Sequence, residues 1–142
     1  MSTPDFMFLL FSHSLCWGRP FKVYIYPSED TGVGKERSPV SPDYLKVLEA
    51  IRRSPLYTPD PSQACLFVLA FDTINRDRNS VQHFVRNLQG KVQQLTSWNG
   101  GSNHVVFNLF SGTFPDYSET DLGFDYGKAI LAKASMSDGI YR

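Results

Sequence analysis

Residues able to do chemistry gather in three segments, each directly after an apolar or β-branched run. Asp72-Thr73-Ile74-Asn75-Arg76-Asp77-Arg78 brings two carboxylates and two guanidinium groups to one place. Planar polar groups of this kind offer paired donors and acceptors to vicinal hydroxyls. Asp77 and Asn79 could equally serve only as caps for a following helix, whose first amides need partners. Phe110-Ser111-Gly112-Thr113-Phe114-Pro115-Asp116-Tyr117 joins hydroxyls, a carboxylate and aromatic rings, a mixture suited to carbohydrate, and Gly112 lets a ligand approach the backbone. An aromatic plug around a tight turn is the alternative use of the same residues. Asp72, Asn75, Ser111, Gly112 and Asp116 are therefore the candidate ligand-binding residues, chosen by their position at strand ends.

The third segment holds Gly32-Val33-Gly34-Lys35 and invites a phosphate-loop reading. A Walker loop would need glycine at position 29 and Ser or Thr at position 36, and both are Glu. A dinucleotide fingerprint fails because its third glycine falls on Arg37. The segment reads as a surface loop over 28–41. His104 has no Cys, His or carboxylate set at ligand spacing, and His83 falls on the polar side of a helix, so no metal site is expected. A nucleophile elbow and a catalytic dyad are also absent from the sequence.

Positioning such loops takes an α/β scaffold. Phe21 to Tyr26 alternates and is rich in β-branched and aromatic residues, which predicts a strand with Phe21, Val23 and Ile25 buried. Ser41-Pro42 opens a helix carrying Tyr44, Leu45, Leu48 and Ile51 on one face and ending before Pro55. Cys65 to Phe71 is a continuous apolar run, the pattern of a strand covered on both faces, with Cys65 as a small buried hydrophobe. Val81, Phe84, Val85, Leu88, Val92 and Leu95 keep a helical face from Asn79 until Gly100-Gly101. His104 to Phe110 is a third strand, and Lys128 to Ala134 is expected to be a short helix. This order implies right-handed crossovers and a Rossmann-like parallel sheet with helices on both faces. A fourth strand is expected only after that last helix, so the fold looks cut short.

Composition bounds the function. The 142 residues, 42% apolar and 14% aromatic, suffice for one ordinary domain. Fourteen basic residues balance fourteen acidic ones, leaving no net field to draw nucleic acid. Residues 1–20 form an irregular leader; Phe6 to Phe11 is too short to span a bilayer, and Met1 to Asp5 lack the positive charge of a signal peptide, whose degenerate form is the alternative. No Asn-x-Ser/Thr acceptor occurs.

Phe21 to Pro27, Tyr57 to Val68 and Asn103 to Tyr117 together resemble the exostosins, and Gly123-Phe124-Asp125 and Ala129 to Ser135 extend the likeness. The resemblance implies that residues 21–142 are part of an exostosin domain, the first, acceptor-side lobe of a two-lobed GT-B glycosyltransferase. It further implies transfer of glucuronic acid from UDP-glucuronate to the N-acetylglucosamine end of a heparan sulfate chain. The UDP-sugar is expected in a second lobe, with no cofactor in this one. By family the protein is lumenal in the endoplasmic reticulum and Golgi membrane and works with an exostosin paralogue. The leader departs from the family's membrane anchor, Cys16 lacks an expected upstream cysteine, and the loop over 28–41 is longer than usual. The alternative function is a non-catalytic glycan-binding or assembly module.

Overall fold

The computed structural model describes residues 17–27, 40–74, 88–109 and 122–133. Their elements run β1 (Val23–Ile25), α1 (Pro42–Arg53), a 3-10 turn at Pro61–Gln63, β2 (Leu66–Val68), α2 (Leu88–Gln93), a 3-10 turn at Asn99–Gly101, β3 (His104–Asn108) and β4 (Ile130–Lys133). The four strands form one parallel sheet in the order β1-β2-β3-β4. None of the described helices is long and apolar enough to cross a membrane.

Helix α1 begins as its sequence dictates. The Ser41 hydroxyl accepts from the Tyr44 amide at 3.2 Å, Pro42 takes the first turn, Asp43 sits at the positive end of the dipole, and Arg52 and Arg53 sit at the negative end. Ser54 turns extended ahead of Pro55 and ends the helix. Tyr44 and Leu48 bury against Val23, Ile25, Val68 and Ile74 on one face of the sheet. On the other face Leu88, Val92, Leu95 and Trp98 pack with Tyr26, Phe67, Leu69, Phe71 and Val106. The period-2 alternation of β1 and β2 sends neighbouring side chains to these two clusters, giving the three-layered α/β half-domain expected.

The connections expected to make right-handed crossovers run in part through residues 28–39 and 75–87, which lie outside the described residues. The outer edge of β1 is covered by its own chain: the Val23 amide donates to Leu56 O at 2.8 Å, and the Thr58 amide donates to Val23 O at 2.9 Å.

Several expectations are corrected. Residues Ile130–Lys133 are a strand rather than the middle of a helix, pairing in register with Val105–Asn108. Their Ala and Leu content favours a helix, but so short a segment gains little from propensity, and the ladder along β3 decides its conformation. The fourth strand thus lies within the chain. Phe21 and Leu45 are 43% and 44% exposed rather than core residues. The strand over Cys65–Phe71 is confined to Leu66–Val68, although Leu69 and Phe71 stay buried. Beyond Val68 the main chain finds a side-chain partner: the Tyr44 hydroxyl donates to Leu69 O at 2.5 Å. Cys65 is fully buried. The beginning of the second predicted helix, with His83, lies outside the described residues, as do the loop over 28–39 and Cys16.

The approaches to β3 and β4 are locked by glycine. Gly101 has φ +87°, and a Cβ there would strike Tyr126 O and come within 2.8 Å of Ala129 N. Here the Lys128 amide donates to Gly100 O at 2.8 Å and the Ala129 amide donates to Tyr126 O at 3.0 Å, so the two backbones meet without room between them. Gly100, at φ +64°, has open space around its missing Cβ. Gly101→Ala is expected to cost about 3 kcal/mol or more through strain and clash together, against about 1–2 kcal/mol for Gly100→Ala from strain alone. Urea unfolding of the two variants measures the difference.

Candidate functional site

The carboxyl ends of parallel strands are where open α/β sheets bind ligands, and here that edge is held by side chains bonded to backbone. After β2 the chain runs through Asp72, Thr73 and Ile74, all buried. Asp72 Oδ2 accepts from the Ser41 amide at 2.6 Å, at the entrance to α1, and its Oδ1 accepts from the Ile74 amide at 3.0 Å. A buried carboxylate is tolerated because both oxygens take charge-assisted bonds. Thr73 Oγ1 donates to Phe107 O at 2.8 Å, Asn108 Nδ2 donates to Thr73 O at 2.9 Å, and the Leu109 amide donates to Ile74 O at 2.5 Å. The loop after β2 is thereby fixed to α1 on one side and to the end of β3 on the other.

Tyr44 lies under this rim. Burial, with the Asp72 carboxylate adding to it, pushes its phenol above the ordinary value. It acts as a neutral donor to Leu69 O rather than as a base.

At the other end of β3, His104 is fully buried and ringed by aromatics. It stacks on Tyr26 and Phe67 with ring centroids 5.6 and 5.1 Å away, and Trp98 meets it edge-on at 4.8 Å. Its Nδ1 is 2.8 Å from Ser102 O, which can only accept, so Nδ1 carries the proton. Nε2 then accepts from the Tyr26 hydroxyl at 2.8 Å. Both ring nitrogens are used, and desolvation pulls the imidazole down to about 4, against the opposing effect of the Ser102 bond. This is a structural histidine. Among the described residues no group of three or more His, Cys, Asp and Glu could hold a metal ion.

Of the residues chosen from sequence, Asp72 is at the rim and 5% exposed, its carboxylate spent on two amides. It holds the loops in place, a role its position at a strand end does not reveal. Asn75, Ser111, Gly112 and Asp116 lie outside the described residues. Thr73 and Asn108 were passed over in the sequence. Asn108 carried a usable signal, being an amide inside an apolar strand, where a buried polar group needs a defined partner.

The exostosin GT47 domain model matches residues 18–142. Exostosin-1b of Danio rerio and Exostosin-1 of Bos taurus are each 51% identical to this chain over 132 residues, covering 93% of it and 17% of their own length. Exostosin-1 of Drosophila melanogaster is 52% identical over 126 residues, 89% of this chain and 16% of its own. The chain spans less than a fifth of the length of these curated relatives.

Two outcomes test the geometry. Asp72→Ala leaves the Ser41 and Ile74 amides without their acceptor and should cost about 2–4 kcal/mol, with Asp72→Asn milder because one oxygen remains; chemical denaturation at neutral pH reads both. His104 is neutral in the fold, whereas in the unfolded chain it takes a proton below about pH 6.5. Its stabilisation is therefore complete above that pH and is lost as pH falls towards 4, at up to about 1.4 kcal/mol per pH unit. His104→Gln should flatten this part of the stability profile, whatever it costs at pH 7.5.

Proposed function

Because the chain belongs to the exostosin GT47 family, a family of glycosyltransferases, we propose that it forms the acceptor-side lobe of a two-lobed GT-B enzyme. The enzyme moves glucuronic acid from UDP-glucuronate to the N-acetylglucosamine end of a growing heparan sulfate chain, inverting the anomeric centre. The observation that carries this reading is the 51% identity to Exostosin-1 sustained over 132 residues, far longer than any motif. In such an enzyme the nucleotide sugar is gripped by a second lobe, and transfer needs both. The protein acts in the lumen of the endoplasmic reticulum and Golgi, membrane-attached and paired with an exostosin paralogue.

A parallel sheet with a stiff carboxyl edge supports this role. Positioning an acceptor hydroxyl against an activated sugar demands a pre-set wall, since small misplacements are costly in rate. Asp72, Thr73 and Asn108 set that wall. Asn75 follows it directly in sequence after β2, and Ser111, Gly112 and Asp116 follow β3. These four supply the hydroxyl-binding groups of the proposed acceptor site.

The test is a chimera in which the matching 132 residues of Bos taurus Exostosin-1 are replaced by those of this chain. Transfer of labelled glucuronate to an N-acetylglucosamine-terminated oligosaccharide should persist. Asp116→Ala in the chimera should raise the acceptor KM several-fold and leave the UDP-glucuronate KM unchanged. A folded chimera that transfers nothing would sink the assignment, and unaltered acceptor kinetics would remove Asp116 from the site.

A further inference from the structure

The opposite, amino-terminal end of the sheet has a cleft of its own. Arg19, Pro20, Lys22, Ser62 and Gln63 line a space of about 320 Å³, at the small end of the range for ligand sites. Lys22 immediately precedes β1 and Gln63 closes the turn before β2, so the cleft lies a full strand length from the rim described above. Its wall is anchored. The amides of Cys65 and Leu66 donate to Lys22 O at 2.8 and 3.2 Å, and Asp60 Oδ1 accepts from the Ser62 amide and hydroxyl at 2.9 and 2.7 Å.

The charge in this cleft is unbalanced. Arg19 Nη1 donates to Ser62 O at 2.9 Å and Lys22 Nζ to Pro55 O at 2.8 Å, both neutral carbonyls. Among the described residues, the ion pairs are Lys46–Asp43 and Arg53–Glu49, neither of which involves this cleft. A guanidinium has five N–H donors and an ammonium three, so most of the donating capacity of Arg19 and Lys22 is unspent. The neighbouring carboxylate, Asp60, is held by Ser62, whose bonds lower its pKa.

We propose that this cleft binds an acidic saccharide unit, with its carboxylate on Arg19 and Lys22 and its hydroxyls on Ser62 and Gln63. Pro20, in the cleft's lining, offers an apolar surface for the face of a sugar ring. The overall charge of zero argues against nucleic acid, which needs an extended basic field rather than a single paired site. The choice of a saccharide over another oxyanion rests on the glycosyltransferase reading above, whereas the demand for an anion does not. Lying away from the acceptor wall, the cleft would hold a remote portion of the glycan and keep the growing chain attached between transfers.

Titration of the 142-residue chain with an unsulfated octasaccharide of alternating glucuronate and N-acetylglucosamine tests this, followed calorimetrically and by amide shifts. Saturable binding is expected, weakened by salt, with shifts centred on 19–22 and 61–63. A neutral N-acetylglucosamine oligomer should bind at least tenfold more weakly. Arg19→Gln/Lys22→Gln should lower octasaccharide affinity tenfold or more. Gln63→Glu, which leaves both cations in place and adds a negative charge, should do the same, so the result does not hang on one variant's folding. Absence of binding, equal affinity in both variants, or equal competition by inorganic phosphate would each overturn the proposal. The two proposals fail separately: a chimera that transfers with no octasaccharide bound at this cleft defeats only this one, and binding here by a chain whose chimera is inert defeats only the other.

Discussion

One buried imidazole holds the sheet together at its centre. His104 begins β3, accepts a hydrogen bond from Tyr26 at the end of β1, and lies against Phe67 in β2. Its remaining nitrogen satisfies Ser102 in the turn that leads into its own strand. A phenylalanine could fill much of the same volume but would strand a hydroxyl and a carbonyl away from water, a cost comparable to the bonds themselves. The ring is kept neutral by burial, because an imidazolium would be a desolvated charge among aromatic rings. The core is thus specific in geometry as well as apolar, since only this tautomer satisfies both partners.

The rim depends on the core in turn. With β1, β2 and β3 fixed in register, the chain after Val68 must leave the sheet and still satisfy its backbone, and it does so with side chains drawn from two neighbouring elements. Tyr44 serves Leu69 from below, Asp72 joins the loop to the entrance of α1, and Asn108 and Thr73 lace it to β3. None of these groups is well placed to be a catalyst, since each is buried and committed. They form the rigid support that a group projecting from the rim requires, and such sites lose most when their support is loose.

The sequence exposed the parts of this arrangement that are governed by local chemistry. Ser41-Pro42 marked the start of α1, and the alternation of Val23 and Ile25 marked their shared face, because capping and pleat are properties of a few adjacent residues. The failures were non-local. The conformation of Ile130–Lys133 is decided by Val105–Asn108, more than twenty residues away. Leu45 obeys helical spacing yet faces solvent, because α1 covers the sheet with a stripe narrower than its apolar residues would allow. Asp72 was recognised as a strand-end carboxylate, but its partners, Ser41 and Ile74, are visible only once the loops are folded.

The two ends of the sheet differ in what their polar groups have left to give. At the carboxyl edge Asp72 and Thr73 are consumed by backbone, so the described rim is complete in itself, and any ligand there must be met by residues that extend from it. At the amino end Arg19 and Lys22 each donate to a carbonyl and keep a full positive charge with no counter-ion among the described residues. A carbonyl can orient a cation but cannot neutralise it, so the attraction for an external anion survives folding at this end. Burial sets the contrast: Asp72 is enclosed and had to find its partners within the chain, whereas a cation at an open cleft stays hydrated until a ligand displaces the water. The same parallel sheet therefore offers a stiff wall at one end and an unspent charge at the other.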